Sequence, residues 1–336
     1  MTDYILDIID LELMLVVRLS PFAMINGNYV IDGVDIWSTY GAVILKDSYN
    51  SLLAYPDRKD PDSNDWFEED GLEVDLSNPK FEAKTVSVSV GIYADSKVNL
   101  LNKRSGLFAL LSGQGYRSLY IKSLDKTWQL RYTGASSPSA SRLVNGNQFY
   151  LEQELTFSMD NPLQNIWGSQ STFDVTFDFT FRGLLSVNTP ISYKYITHNF
   201  FSIGQDVINY GMAVKSFNAD ALLFDSLKDP LIKSYSTING NIIDVGYKLK
   251  RKEKTITLSI IMGSEIISDL LSNYSLFFQH ISSNGLKTIH NIPLNSDFKG
   301  YYSKQSNLEI YGLSCIGGGY ILEFDLEFIV TQATTL

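Results

Sequence analysis

The sequence predicts a mainly β, α+β protein with one helix in each of two tandem repeats, each repeat an antiparallel β-sandwich or barrel. Three observations predict it. A segment occurs twice, 170 positions apart: Lys84-Thr85-Val86-Ser87-Val88-Ser89-Val90 returns as Lys254-Thr255-Ile256-Thr257-Leu258-Ser259-Ile260. Both strings alternate apolar and small polar residues, which puts one set on each face of a sheet. Each string is followed by apolar residues three and four positions apart, the period of a helix.

The repeat reaches beyond these strings. Tyr40-Gly41 recurs as Tyr210-Gly211, Leu100-Leu101 as Leu270-Leu271, and Leu107-Phe108 as Phe277-Phe278. Gly115, Leu124, Trp128 and Tyr132 fall on Gly285, Leu294, Phe298 and Tyr302. After a slip of one residue, Leu151-Glu152, Leu155 and Phe157 fall on Leu322-Glu323, Leu326 and Phe328. Apolar pattern and turn residues recur, not reactive polar groups, so the duplication speaks for architecture before chemistry.

In order, each repeat opens with strands, Tyr29 to Ile36 and then Tyr40 to Leu45 in the first. A polar, variable loop follows, Asp47 to Asp75 and Lys215 to Gly240. Next come the two alternating strands. The helices carry Leu100-Leu101, Arg104, Leu107-Phe108 and Leu111 in one repeat, and Ile267, Leu270-Leu271, Tyr274, Phe277-Phe278 and Ile281 in the other. Asp95 and Ser264 are the expected N-caps, and Gly113, Gly115 and Asn284-Gly285 the expected stops. Two further strands lead to a hairpin, at Asn145-Gly146-Asn147 and at Gly317-Gly318-Gly319. Between the repeats, Phe173, Val175, Phe177, Phe179 and Phe181 form one face of a long strand that needs a cover. The resulting division is an arm at 1–28, a first unit at 29–162, a connecting β segment at 163–198 and a second unit at 199–336.

Composition narrows the function. The chain has 336 residues, 44% hydrophobic, 13% aromatic and 19% charged, enough for two cores and too apolar for disorder. A net charge of −10 argues against generic nucleic-acid binding, which needs excess Lys and Arg. The single cysteine, Cys315, excludes an internal disulfide and reads as a small buried hydrophobe. Met1-Thr2-Asp3-Tyr4 is acidic where a secretory signal is basic, and the apolar run Leu13 to Val17 is far too short to span a membrane. Synthesis and folding in the cytoplasm are the expectation.

Chemistry is sparse. His198, His280 and His290 have no metal-ligand spacing, and His280 follows the apolar helix face, a packing position. No nucleophile elbow, P-loop or H-E-x-x-H is present. Asp60, Asp62 and Asn64 begin a calcium-loop pattern, but Asp65 stands where glycine is needed and Gly71 where the bidentate glutamate is needed. The sequence therefore predicts no enzyme, no metal and no cofactor. What remains are surfaces. Lys248, Lys250, Lys252 and Lys254 read as one face of a strand, either a solvent-facing edge or, in an oligomer, a partner for the next subunit's acidic loop with Asp60, Asp62, Asp65 and Glu68. These two sets and the Phe173 to Phe181 stripe are the candidate subunit interfaces. Glu152, Glu154, Glu323, Asp325 and Glu327 project opposite the core, either as an ordinary wet face or as the lining of a channel.

Ile31-Asp32-Gly33-Val34-Asp35-Ile36, Tyr40-Gly41-Ala42-Val43-Ile44, Asp70-Gly71 and Lys84 to Val90 together resemble the opening of the distal tail proteins of long-tailed bacteriophages. The resemblance covers about Tyr29 to Pro162 and Asn199 to Gln332. It implies a tail-tube-like fold, strands with a flanking helix, closed into a six-membered ring. It also implies a virion-tail location after assembly in the bacterial cytoplasm. The implied partners are the chain itself, as a hexamer or pseudo-hexameric trimer, and other tail or baseplate proteins, with DNA only as passing cargo and no membrane span. Phe67-Glu68-Glu69-Asp70-Gly71 lacks the family's arginine, and the second copy departs from the common arrangement, resembling instead trimeric baseplate hubs with two tube-like domains per chain. The alternative is a tandem β-sandwich that binds carbohydrate or a cell surface through Trp37, Trp66, Tyr116, Trp128 and Trp167.

Overall fold

A computed structural model describes residues 27–45, 48–142, 149–165, 201–203, 205–206, 210–218, 226–229, 232–234, 239, 241–243, 248, 250–264, 266–291, 296–312 and 319–333. The Phe173 to Phe181 stripe, the arm at 1–26, Asn145-Gly146-Asn147, Gly317-Gly318, Trp167, His198 and Cys315 lie outside the described residues.

The first unit contains β1 (Tyr29–Ile31), β2 (Val34–Asp35), α1 (Ile36–Tyr40), β3 (Ala42–Ile44), α2 (Asn50–Leu53), β4 (Ser63–Asn64), β5 (Glu73–Val74), β6 (Lys84–Ala94), α3 (Lys97–Leu111), β7 (Arg117–Ile121), β8 (Lys126–Ala135), β9 (Ser139–Arg142) and β10 (Phe149–Met159). The second contains β11 (Phe201–Ile203), β12 (Gln205–Asp206), β13 (Met212–Phe217), β14 (Ile232–Ser234), β15 (Asn241–Ile243), β16 (Lys254–Ser264), α4 (Ile267–Ser282), β17 (Lys287–Asn291), β18 (Ser296–Gly312) and β19 (Tyr320–Ala333). The fold is mainly β, with antiparallel pairing throughout both main sheets, as the alternation predicted.

The two sheets share a wiring. The first runs β2-β1-β7-β8-β10-β6-β3 with β9 added on β10, and the second β12-β11-β17-β18-β19-β16-β13, the same order apart from β9. One irregularity coincides, of the three in the β18–β19 pairing. The β8–β10 register skips Thr133, and the β18–β19 register skips Ser303, its counterpart in the repeat. A bulge at the same place in both copies is a built feature of the backbone.

Each core follows from the alternation. Val86, Val88 and Val90 of β6 and Leu151, Leu155 and Phe157 of β10 are buried, and so are Ile256, Leu258 and Ile260 of β16 against Leu322, Phe324, Leu326 and Phe328 of β19. The α4 stripe Leu270, Tyr274, Phe277, Phe278 and Ile281 is buried over the second sheet. In β10 the alternation has a polar member on the inner face: Gln153 is buried, accepts from Arg104 Nε at 2.9 Å and donates to the Ser136 carbonyl.

Several local expectations change. The opening strand Tyr29 to Ile36 is a hairpin. Asp32 and Gly33 both take positive φ, 50° and 80°, between the pairs Ile31–Val34 and Val30–Asp35. That is the two-residue turn that Asp-Gly favours, and its twist matches the flanking strands. The chain then enters α1, whose Trp37 amide donates to Asp35 Oδ1 at 3.0 Å. Ser96, not Asp95, caps α3, since its hydroxyl accepts from the Asn99 amide at 3.2 Å while Asp95 takes the Asn99 side chain. Nor does Ser264 cap α4: the N-cap position is Ile266, with no side-chain bond to the helix, and the Ser264 hydroxyl accepts from the Ile266 amide at 3.3 Å. Gly115 and Gly285 do take the left-handed conformation just past the two helices.

The Tyr-Gly repeat has a steric cause. Gly41 closes α1 at φ 59°, and a Cβ there would meet the Tyr93 carbonyl oxygen at 2.5 Å. Gly211 has φ 69°. Left-handed strain and a backbone clash add, so Gly41→Ala is expected to cost about 2–3 kcal/mol in denaturant unfolding.

Candidate assembly surfaces

The polar loop after β3 is not simply solvated. It forms an arm of α2, an extended stretch and the β4–β5 hairpin, and it lies across the second unit. Asn50 Nδ2 donates to the Leu308 carbonyl at 3.4 Å, the Tyr55 amide to Gln305 Oε1 at 2.5 Å and the Arg58 amide to the Ser303 carbonyl at 2.8 Å. Tyr302 Oη returns a bond to the Pro56 carbonyl at 3.0 Å. Tyr55 and Phe81, from the first unit by sequence, belong to the second unit's core, while Leu271 of α4 belongs to the first unit's core.

Tyr55 is the centre of this junction. Its ring stacks on Tyr274 at 4.0 Å and on Phe278 at 4.4 Å, and its hydroxyl donates to the Tyr274 carbonyl at 2.6 Å. Burial pushes the phenol well above its ordinary range, so it stays a neutral donor. Arg58 is buried beside the Tyr301 ring, 5.3 Å from its centroid, and burial lowers its pKa. Lys287 is brought down to about 8, first by burial and then by the charge of Arg58.

The tip of the arm carries the acidic loop. Asp65 pairs with Lys228, Lys228 Nζ also donates to the Trp66 carbonyl at 2.7 Å, and Asp70 accepts from the Arg251 amide at 2.8 Å. Gly71 donates to the Arg251 carbonyl at 2.8 Å and Leu72 to the Thr331 carbonyl at 3.3 Å. The acidic tip thus meets basic residues of the second unit within one chain, though not the lysines singled out in the sequence. Asp60, Asp62 and Glu68 are exposed. The lysine row is not a strand face: Lys248, Lys250 and Lys252 precede β16, and only Lys254 lies in it, with its ammonium 4.8 Å from the Phe298 ring centroid. The row is bridged at one point, Arg251 to Leu227.

The acidic residues of β10 and β19 occupy matching positions, Glu152 with Glu323 and Glu154 with Asp325. Glu152 and Glu154 are exposed, opposite Gly91 and Ser89 of β6 on the face away from the core. Glu323 pairs with Lys215 at 2.9 Å, Glu327 with Lys304 at 3.3 Å, and Asp325 accepts from Asn307 at 2.7 Å. The first unit's face is therefore barely neutralised and the second's partly so.

Of the aromatics, Trp37 and Trp128 are buried in the first core, while Trp66 and Tyr116 are half exposed. Trp66 donates to Glu73 at 2.5 Å, and Tyr116 to Asp160 at 3.1 Å. Arg131 and Ser158 hold Asp160 well below the usual carboxylate range. A cleft of about 340 Å³ lies on the arm, lined by Arg58, Lys59 and Lys80 together with Asp60, Asp62 and Asp75. Among the described residues no three His, Cys, Asp or Glu side chains are grouped to hold a metal, and no helix is long and apolar enough to cross a membrane. His280 is buried on α4, and His290 Nδ1 lies 2.5 Å from Asp297 Oδ1.

No protein-family model matches the chain, and no curated protein matches it. Among solved structures it is similar to the SPP1 Dit (gp 19.1) protein, described as a paradigm of hub adsorption apparatus in Gram-positive infecting phages. The two share 9% identity over 90% of this chain and 98% of that one, with a TM-score of 0.30. At that score the two chains differ too much overall for one to be read from the other.

Proposed function

We propose that this chain is a structural subunit of a bacteriophage or prophage tail, a distal-tail, baseplate or tube-adaptor component without catalytic activity. Its two units stand side by side in a ring, as a hexamer or as a trimer of double units, around a passage for DNA. The observation that carries this reading is the pair of sheets wired alike apart from β9, in which the first unit reaches its arm onto the second. Such a unit-to-unit contact is directional, and a directional contact repeated between chains gives rings or filaments, not isolated dimers. The acidic outer faces of β10 and β19 suit the lining of that passage. They repel phosphates at close range, the field decaying over about 8 Å at physiological salt.

The test is light scattering coupled to size exclusion, with negative-stain imaging of the same fractions. Closed particles with a central hole are expected, with an even number of units. A clean monomer at high micromolar concentration, alone and with a neighbouring tail ring supplied, overturns the reading.

A further inference from the structure

The second unit has an arm of its own. In sequence, Leu52-Leu53 and Lys59-Asp60-Pro61 return as Leu222-Leu223 and Lys228-Asp229-Pro230, with one residue deleted between them. In structure, the backbone bonds match one for one. Lys59 N to Lys80 O at 2.9 Å is repeated by Lys228 N to Lys250 O at 2.7 Å, and Glu82 N to Asp57 O at 2.9 Å by Lys252 N to Ser226 O at 2.7 Å. The bridge Arg58–Phe81 is repeated by Leu227–Arg251.

The two arms differ in what covers them. Arg58 is 7% exposed, and its counterpart Leu227, an apolar side chain, is 49% exposed. The faces that receive arms differ in the same sense. Leu271 of α4 is 3% exposed because the first unit packs on it, and its counterpart Leu101 of α3 is 51% exposed, beside Val98. Ser303 at the second bulge accepts the Arg58 amide, while Thr133 at the first bulge is exposed. Lys228 is held under the acidic tip with its side chain 5% exposed, and its counterpart Lys59 is 52% exposed beside the cleft on the first arm. Among the described residues, Leu227 of the second arm and Leu101 of α3 are thus exposed where their counterparts Arg58 and Leu271 are covered.

We infer that the second unit's arm docks on the first unit of a neighbouring copy of this chain, Leu227 at the Thr133 bulge and beside the α3 face bearing Leu101. The contact repeats between chains what the first arm makes within one. The occupant is a second copy because the matching complementary surface is already seen, covered, inside this chain. The contact is head-to-tail, so every copy uses both surfaces only when the series closes. This inference rests on the ring reading above and adds which surfaces meet.

Cysteine pairing tests it in a Cys315→Ser background. The Arg58 amide lies 2.8 Å from the Ser303 carbonyl oxygen, so the two backbones are in direct contact. The within-chain pair Arg58→Cys with Ser303→Cys is the positive control. Chains carrying Thr133→Cys alone, mixed with chains carrying Leu227→Cys alone, are expected to give a covalent dimer on mild oxidation. The double variant is expected to give a ladder of higher species, and adding Leu101→Glu is expected to abolish both. All three positions are exposed, so circular dichroism should match the parent. Dimers formed equally by one single-cysteine variant alone would mean a symmetric contact and overturn the inference. Multi-chain particles by light scattering with no mixed dimer would overturn it and leave the ring reading standing. A monomer with no crosslink would overturn both.

Discussion

Tyr55→Ala is expected to destabilise the protein by about 3–5 kcal/mol and to split its unfolding into two transitions. Tyr55 belongs to the first unit by sequence, yet its ring lies among Tyr274, Phe278, Tyr302 and Phe324 of the second. Removing it leaves a cavity between stacked rings that the sheet behind them cannot collapse to fill. It also removes the hydroxyl from the Tyr274 carbonyl. Tyr55→Phe keeps the stack and loses only that bond, so a cost of about 1 kcal/mol is expected. Phe277→Ala, also fully buried, should cost a similar 3–5 kcal/mol but act on the second core directly. Calorimetry separates the cases. The parent is expected to unfold with its two units coupled, because each core holds residues of the other unit. If Tyr55→Ala leaves the second unit's transition unmoved, the arm is not part of that core.

The sequence made the repeat and its two best-patterned elements legible. Period-two strings gave β6 and β16 to the residue at their first positions, since Lys84 and Lys254 open them. The α4 stripe was readable because five large apolar residues share one face. The Asp32-Gly33 hairpin carried a usable signal that the surrounding apolar run concealed. The arm was harder. Leu52, Leu53, Tyr55, Leu76 and Phe81 are its buried anchors, but they are spaced irregularly among Asp, Lys and Pro. A segment that docks in extended form onto another surface buries whichever residues the partner's shape requires, so it has no period to detect. Its docking site became visible only through exposure differences between repeated positions, such as Leu271 and Leu101. The acidic positions of β10 and β19 were readable from alternation, whereas their pairing with Lys215 and Lys304 depends on neighbouring strands.

The second large effect expected is a pH dependence set by Lys84. This lysine opens β6, and its Nζ donates to the carbonyls of Leu52 and Ala54 at the end of α2, at the root of the arm. Burial lowers its pKa to about 7, and the nearby Asp57 carboxylate offsets this only in part. The folded state therefore binds fewer protons here than the unfolded state between about pH 7 and 10.5. Stability from this group rises with pH across that window, and the penalty is fully present below it. At 1.36 kcal/mol per pKa unit, the parent should gain up to about 4 kcal/mol on Lys84→Met between pH 7 and 10.5. Urea unfolding of both proteins across that range measures the difference, and the other titrating groups cancel because both chains carry them. A parent–Lys84→Met difference that stays constant with pH would mean that the ammonium is solvated, and that the arm's root is not closed over it.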